Sequence, residues 1–268
     1  MIFSGEVNLS IVYALIQLNR KAKICLYDDG IGAYYNRGDL FKKRKRLFRL
    51  FNRPFPENIR PEILYASIPS ISENNICKEI KALPEVSDPN SYIHLLNRLF
   101  SMERKEIYKN NKNVLLLDLY NERPHKGLYN ETTKKIVLTL DSAGINYIVR
   151  PHPRDKKRIK TKKGLIDNYG MPWELISLEH IDDKSILIGG WSTSLLIPKM
   201  LYGKEPYIVL TYKLYPFLHN SSDVMGFLNV LAKISNMYSE KKKIIVVDNA
   251  SELKEVVNRL VQISNVNN

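Results

Sequence analysis

Three short clusters hold residue types that can do chemistry. YDDGIGAYY (27–35) sets two carboxylates and a glycine directly behind the apolar run KICLY (23–27). A carboxylate at the end of a strand, facing a cleft, suits general-base work on an acceptor hydroxyl. The same residues also suit an ordinary Asp-Asp-Gly turn. A magnesium site is a third reading, but it wants more oxygen ligands than the apolar and aromatic neighbours supply.

RPHPRD (150–155) places His152 between Pro151 and Pro153, with Arg150 and Arg154 on either side. Flanking prolines hold the backbone extended and restrict where the imidazole points. Such a histidine can donate a proton or a hydrogen bond to a phosphate leaving group, with the arginines neutralising the same charge. A partly buried structural histidine is the competing reading, and His94, His125, His180 and His219 are read that way or as surface residues. GGWSTSLL (189–196) brings two glycines to a run of Ser192, Thr193 and Ser194. Hydroxyls and free N–H groups at a helix start make an anion site, and they also make an ordinary N-cap. Walker-type phosphate loops, the G-x-G-x-x-G fingerprint and the G-x-S-x-G elbow are absent from the sequence.

These clusters need elements to position them. From residue 112 onward, short apolar runs alternate with amphipathic stretches. VLLLDLY (114–120), INYIV (145–149), WELISL (173–178), SILIGG (185–190), EPYIVL (205–210) and KIIVVD (243–248) read as strands. ETTKKIVLTLDSAG (131–144), TSLLIPKMLYG (193–203) and SELKEVVNRLVQI (251–263) read as helices, the first two stopped by Gly144 and Gly203, the last capped by Ser251. Such alternation predicts an α/β, doubly wound parallel sheet over 112–268, with ligands at the carboxyl ends of the strands. Residues 1–111 form a thinner first domain, with a helix over 7–18, a strand at 23–27 and in all two strands and two or three helices.

Composition narrows the function classes. With 268 residues, 44% hydrophobic and 26% charged, the chain is globular and long enough for two domains of roughly 150 residues. Its two cysteines, Cys25 and Cys77, argue for a reducing compartment and against a disulfide scaffold or a cysteine-built zinc site. The N-terminus has no basic leader ahead of an apolar stretch, and no apolar run has spanning length, so a cytoplasmic protein is expected. Lys and Arg number 41 against 28 Asp and Glu, a net +13 that favours an anionic partner. FKKRKRLFRLF (41–51) holds six basic residues interleaved with phenylalanine and leucine, and RDKKRIKTKK (154–163) holds seven. Solvated faces, an anionic membrane surface and single-stranded nucleic acid all fit such runs.

Taken in order, Asp-Asp-Gly, His-Pro and a Ser/Thr pair resemble the bacterial sialyltransferases of glycosyltransferase family 52 and the related capsular polysialyltransferases. The resemblance covers about residues 7–210 and includes MPWEL (171–175). It implies a GT-B fold, in which two Rossmann-like domains face a cleft: here an acceptor-side domain at 1–111 and a nucleotide-binding domain at 112–268. It also implies inverting transfer of sialic acid from CMP-sialic acid to a hydroxyl of a capsular or lipid-linked oligosaccharide, with no cofactor and no bound metal. Carried over by position, Asp28 is the base, with Asp29 as the alternative. His152 and Pro153 match the His-Pro motif, whose histidine stabilises or protonates the departing phosphate, and Arg150 stands near the nucleotide. Thr193 and Ser194 bind the phosphate, Ser192 is their substitute, and Glu174 holds the ribose of CMP.

Only 27 residues precede Asp28, fewer than the family carries there, so the first domain is expected to be shortened and an inactive remnant is one reading. Two others are a wall-polymer transferase using a CDP-linked polyol phosphate and a basic nucleic-acid-binding protein. The sialyltransferase reading, which expects no nucleic-acid partner, also expects peripheral attachment to the inner membrane face through 41–51.

Overall fold

The structure, a computed structural model, describes residues 1–5, 15, 18–19, 21–28, 30–34, 61–73, 77–84, 88–100, 107–108, 114–117, 126–152, 159–168, 171–215 and 222–266. Asp29, Pro153, the basic run 41–51 and nearly all of the helix expected at 7–18 lie outside the described residues. The chain divides into two compact units, Met1–Glu85 and Val86–Asn268. That boundary precedes the one expected after residue 111, so helix α1 (Pro89–Phe100) counts with the second unit.

Among the described residues the first unit carries four strands where two were expected: β1 (Ile2–Ser4), β2 (Ile24–Tyr27), β3 (Ile63–Ala66) and β4 (Glu79–Ala82). All are parallel, in the order β1-β2-β3-β4. β1 is only three residues long, and β4 (EIKA) alternates but offers just Ile80 and Ala82 as apolar residues, neither of them buried, so neither strand stands out in the sequence. Ile24, Leu26, Leu64 and Ala66 pack inward from β2 and β3.

In the second unit the strands are β5 (Val114–Leu117), β6 (Tyr147–Arg150), β7 (Gly164–Ile166), β8 (Ile186–Gly189), β9 (Tyr207–Leu210) and β10 (Ile244–Val246). They form one parallel sheet ordered β10-β9-β8-β5-β6-β7. The chain starts at the centre, fills one side through β6 and β7, then crosses to β8 on the other side of β5. This is the Rossmann order, and its switch point lies between β5 and β8. Val114, Leu116, Val149, Ile188 and Val209 face one core, with Ile136, Val137 and Leu140 of α2 (Lys126–Ser142), Val224 of α5 (Ser222–Ser235) and Leu253, Val257 and Leu260 of α6 (Ala250–Val266). The alternate residues Leu115, Ile148, Leu187 and Ile208 are buried as well, so both faces of the sheet are covered. Truncating a core leucine of this kind costs about 2–5 kcal/mol.

Two local expectations are corrected. Residues 173–178 are helical, within α3 (Trp173–His180), not a strand. The helix buries Trp173, Leu175, Ile176 and Ser177, on more than one side, so its sequence carries no 3.6-residue stripe to distinguish it from a short buried strand. The cap of α6 is Asn249, whose side-chain oxygen accepts the Glu252 N–H at 3.0 Å, and Ser251 lies inside the helix. As expected, Gly203 closes α4 (Ile197–Tyr202) with φ of +69°, its N–H donating back to the carbonyls of Lys199 and Pro198.

Of the second basic run, residues 159–163 are described, and Asp141 of α2 ties them down. Its carboxylate accepts the Lys162 and Lys163 N–H groups at 2.9 and 3.0 Å and the Thr161 hydroxyl at 2.8 Å. Burial works against the ionised carboxyl, but these bonds and one from Tyr147 outweigh it and hold its pKa below the usual range.

A second carboxylate gives the stability a pH dependence. Glu205, just ahead of β9, pairs with Lys199 at 2.7 Å and accepts from Ser239, and these bonds bring its pKa down from 4.5 to about 2. A depressed carboxyl stabilises the fold above its unfolded value, and that contribution fades as pH falls through the interval towards 2. Glu205→Gln is therefore expected to lower Tm at pH 6. Melting curves from pH 6 to pH 3 should show the gap to the parent chain closing, and a gap independent of pH would contradict this account.

Candidate functional site

Asp28 follows β2, and its N–H continues the ladder by donating to the Tyr65 carbonyl of β3 at 2.9 Å. Ser67, the first residue after β3, is thereby brought opposite it. The Ser67 hydroxyl donates to Asp28 Oδ2 at 2.9 Å and the Ser67 N–H does so at 3.3 Å. The Tyr34 hydroxyl donates to the same oxygen, and itself accepts the Ile68 N–H at 3.2 Å. Oδ1 accepts only the Gly30 N–H, at 3.1 Å, among the described donors. Tyr34 is fully buried, and burial first, then the charge of Asp28, pushes its phenol pKa well up, so it stays a donor. The result is a half-buried, fixed carboxylate with lone-pair capacity left on Oδ1.

In the second unit, the two remaining clusters and the MPWEL segment follow the carboxyl ends of β6, β8 and β7 respectively. Arg150 ends β6, and half-buried His152 follows two residues later. The Arg150 guanidinium is engaged within the fold. Nη1 pairs with Asp167, the residue after β7, whose side chain is 0% exposed, and Nη2 donates to the Met171 carbonyl. The guanidinium also lies 5.5 Å from the centre of the Trp173 ring. The Tyr108 hydroxyl donates to Asp167 and lies 3.4 Å from Arg150 Nη1. Burial, then the Asp167 charge, raises the Tyr108 pKa strongly.

Trp173 in turn donates its indole Nε1–H to the Ser194 carbonyl at 2.7 Å. Polar and cation–π contacts thus join the 150–152, 171–174 and 192–194 segments. Glu174 is exposed in the first turn of α3, near Tyr202, whose pKa rises to about 12 through burial and then the nearby Tyr92 and Glu174. The far end of α3 is held by Lys204, whose ammonium donates to the carbonyls of Ser177, Leu178 and Ile181 at 2.9, 2.5 and 2.6 Å.

The loop after β8 sits at the switch point. A Cβ on Gly189 would come within 3.2 Å of the Leu117 carbonyl at the end of β5, so glycine lets the two strands close up there. Ser192 then caps a single 3-10 turn (Thr193–Leu195), its hydroxyl accepting the Ser194 N–H at 3.3 Å and standing 2.5 Å from the Ser194 hydroxyl. Thr193 is half-buried beside them.

Asp28 lies in the first unit, whereas Arg150, His152, Glu174 and Ser192–Ser194 share the second. Sequence reading missed Tyr34 and Ser67, which orient Asp28, and Asp167, Tyr108 and Trp173, which engage Arg150. Ser67 and Asp167 follow β3 and β7, strands not placed from the sequence, and Tyr34 stood in plain view six residues after Asp28.

Comparison with known proteins adds the following. A search of the curated proteins finds no match. Two solved structures are similar in part: an alpha,alpha-trehalose 6-phosphate synthase from Burkholderia multivorans (8% identity, 96% of this chain and 70% of that one, TM-score 0.35), and an alpha,alpha-trehalose-phosphate synthase (UDP-forming) from Burkholderia vietnamiensis (9%, 94% and 72%, TM-score 0.34). A family model described as alpha-2,8-polysialyltransferase (POLYST) matches residues 8–211, a span that includes every candidate residue above. With more than half of its 268 residues so matched, the chain belongs to the alpha-2,8-polysialyltransferase family.

Proposed function

We propose that this chain is an inverting sialyltransferase of GT-B type, moving sialic acid from CMP-sialic acid to a hydroxyl of a capsular or lipid-linked oligosaccharide. The observation that carries the reading is the contact chain joining the Arg150–His152, Met171–Glu174 and Ser192–Ser194 segments at the carboxyl edge of a Rossmann-ordered sheet, in a chain of this family.

In this reading Glu174 holds the ribose hydroxyls of CMP, and Thr193 and Ser194, with Ser192, hold its phosphate. The bond from the anomeric carbon to the phosphate oxygen breaks through an oxocarbenium-like state. Its electron pair leaves with CMP, so negative charge grows on the phosphate. Donors from His152, Thr193 and Ser194 then bind more strongly than in the ground state, which is where rate is gained. The acceptor oxygen attacks the opposite face and inverts the centre, while its proton passes to Asp28, with Asp29 the alternative base. No metal or other cofactor is required for this sequence of steps. No helix among the described residues is long and apolar enough to cross a membrane, and the basic aromatic run 41–51 is our candidate for contact with anionic lipid or an anionic acceptor.

Calorimetric titration with CMP tests the donor assignment, with CDP-glycerol and RNA as parallel ligands. CMP binding is the expected result. A folded chain that ignores CMP but binds CDP-glycerol points to the wall-polymer transferase, and salt-sensitive binding to RNA alone points to a nucleic-acid-binding protein.

A further inference from the structure

Arg150 stands in the donor region, yet its guanidinium faces protein rather than an open anion site. It is 11% exposed, and it neutralises a carboxylate on Asp167 that is otherwise closed off from water. A buried charge pair of this kind is held by geometry, since either partner alone would be costly. Its planar fork reaches two acceptors at once, Asp167 and the Met171 carbonyl, while the Trp173 ring lies against it. A lysine ammonium keeps the charge but loses the fork and the stacking. The next link is the Trp173 indole, which donates to the Ser194 carbonyl at 2.7 Å.

We propose that Arg150 is a positioning residue of the donor site, and not a ligand of the donor phosphate. It fixes the 171–174 turn to the end of β6 and, through the indole of Trp173, sets the backbone of the Ser192–Ser194 loop. Glu174 and the hydroxyl loop therefore share one support. The inference rests on the nucleotide reading of the site, and its test separates the two.

Arg150→Lys retains a positive charge beside the buried Asp167, and Trp173→Phe removes only the second link. CMP and cytidine affinities are measured for the parent chain, both variants and their combination by ligand-observed NMR, and the two tryptophans are labelled with 5-fluorotryptophan. Each single variant is expected to weaken CMP and cytidine alike, by about tenfold, as supporting residues around a ligand site do. The combination should be within about twofold of the weaker single variant, because both break the same chain of contacts. The fluorine resonance assigned to Trp173 by its loss in Trp173→Phe should move in Arg150→Lys. A loss confined to CMP, with cytidine unchanged, would make Arg150 a phosphate ligand and overturn the proposal. So would a Trp173 resonance that stays in place. If the parent chain binds neither ligand, the nucleotide reading fails, and the fluorine spectrum alone then decides whether Arg150 positions Trp173.

Discussion

Asp28→Asn is expected to slow sialyl transfer by about 10²–10⁴-fold, the span typical of a lost general base, while CMP affinity stays within about twofold. The separation follows from where the residues sit: Asp28 is in the first unit and the CMP contacts are assigned to the second. Asparagine has nearly the shape of aspartate but cannot take the acceptor's proton. Its amide also has to place an N–H₂ where one carboxylate oxygen stood. With Tyr34 and Ser67 donating on one side and the Gly30 N–H on the other, one donor then faces another donor. A modest fall in Tm should therefore accompany the loss of activity. Initial rates with CMP-sialic acid and a sialylated acceptor, together with CMP titration, decide the matter. If Asp28→Asn retains near-parental rates, Asp28 is not the base, and the same measurement on Asp29→Asn follows.

For His152→Ala the expected pattern is different. Transfer should fall by about 10²–10³-fold, the loss typical of one donor to a developing charge, and CMP should bind more weakly as well. His152→Gln keeps an N–H donor on a similar reach and should recover part of the CMP affinity, but not proton donation to the leaving group. A substrate whose leaving group needs no protonation would narrow the gap between His152→Gln and the parent chain. If His152→Ala lowers stability but alters neither rate nor CMP affinity, the imidazole is a structural residue of the strand-end loop.

Much of the second unit was legible because a strand in a sheet buried on both faces must be apolar at every position. VLLL in β5 and YIVL in β9 can be seen without knowing their neighbours. β7 (GLI) was not legible, since it lies at the sheet edge and its three residues give no pattern. Trp173–His180 misled for the opposite reason: too many of its residues are buried for either period to show. The site divides along similar lines. Asp28, His152 and the Ser192–Ser194 run stood out by local chemistry. The bonds that hold them come from residues such as Ser67, 39 positions from Asp28, and a partner so distant is not signalled by spacing. The role of Arg150 depends on Asp167 and Met171, which are 17 and 21 residues away.

The helix that closes the second unit has a consequence for the birth of the protein. α6 lies against α2 and completes the core that β5, β6, β8 and β9 present on that face. On the ribosome, α2 and four of the strands emerge well before residues 250–266 do. Until then Val114, Leu116, Ile188 and Val209 lack the cover that Leu253, Val257 and Leu260 provide. The unit therefore cannot finish folding until residues 250–266 have emerged, and until then it passes through an interval with a wet apolar face exposed to neighbouring chains. Nascent copies should lean on chaperones during that interval, and a stop codon ahead of residue 250 should yield aggregates rather than a soluble, weakened enzyme.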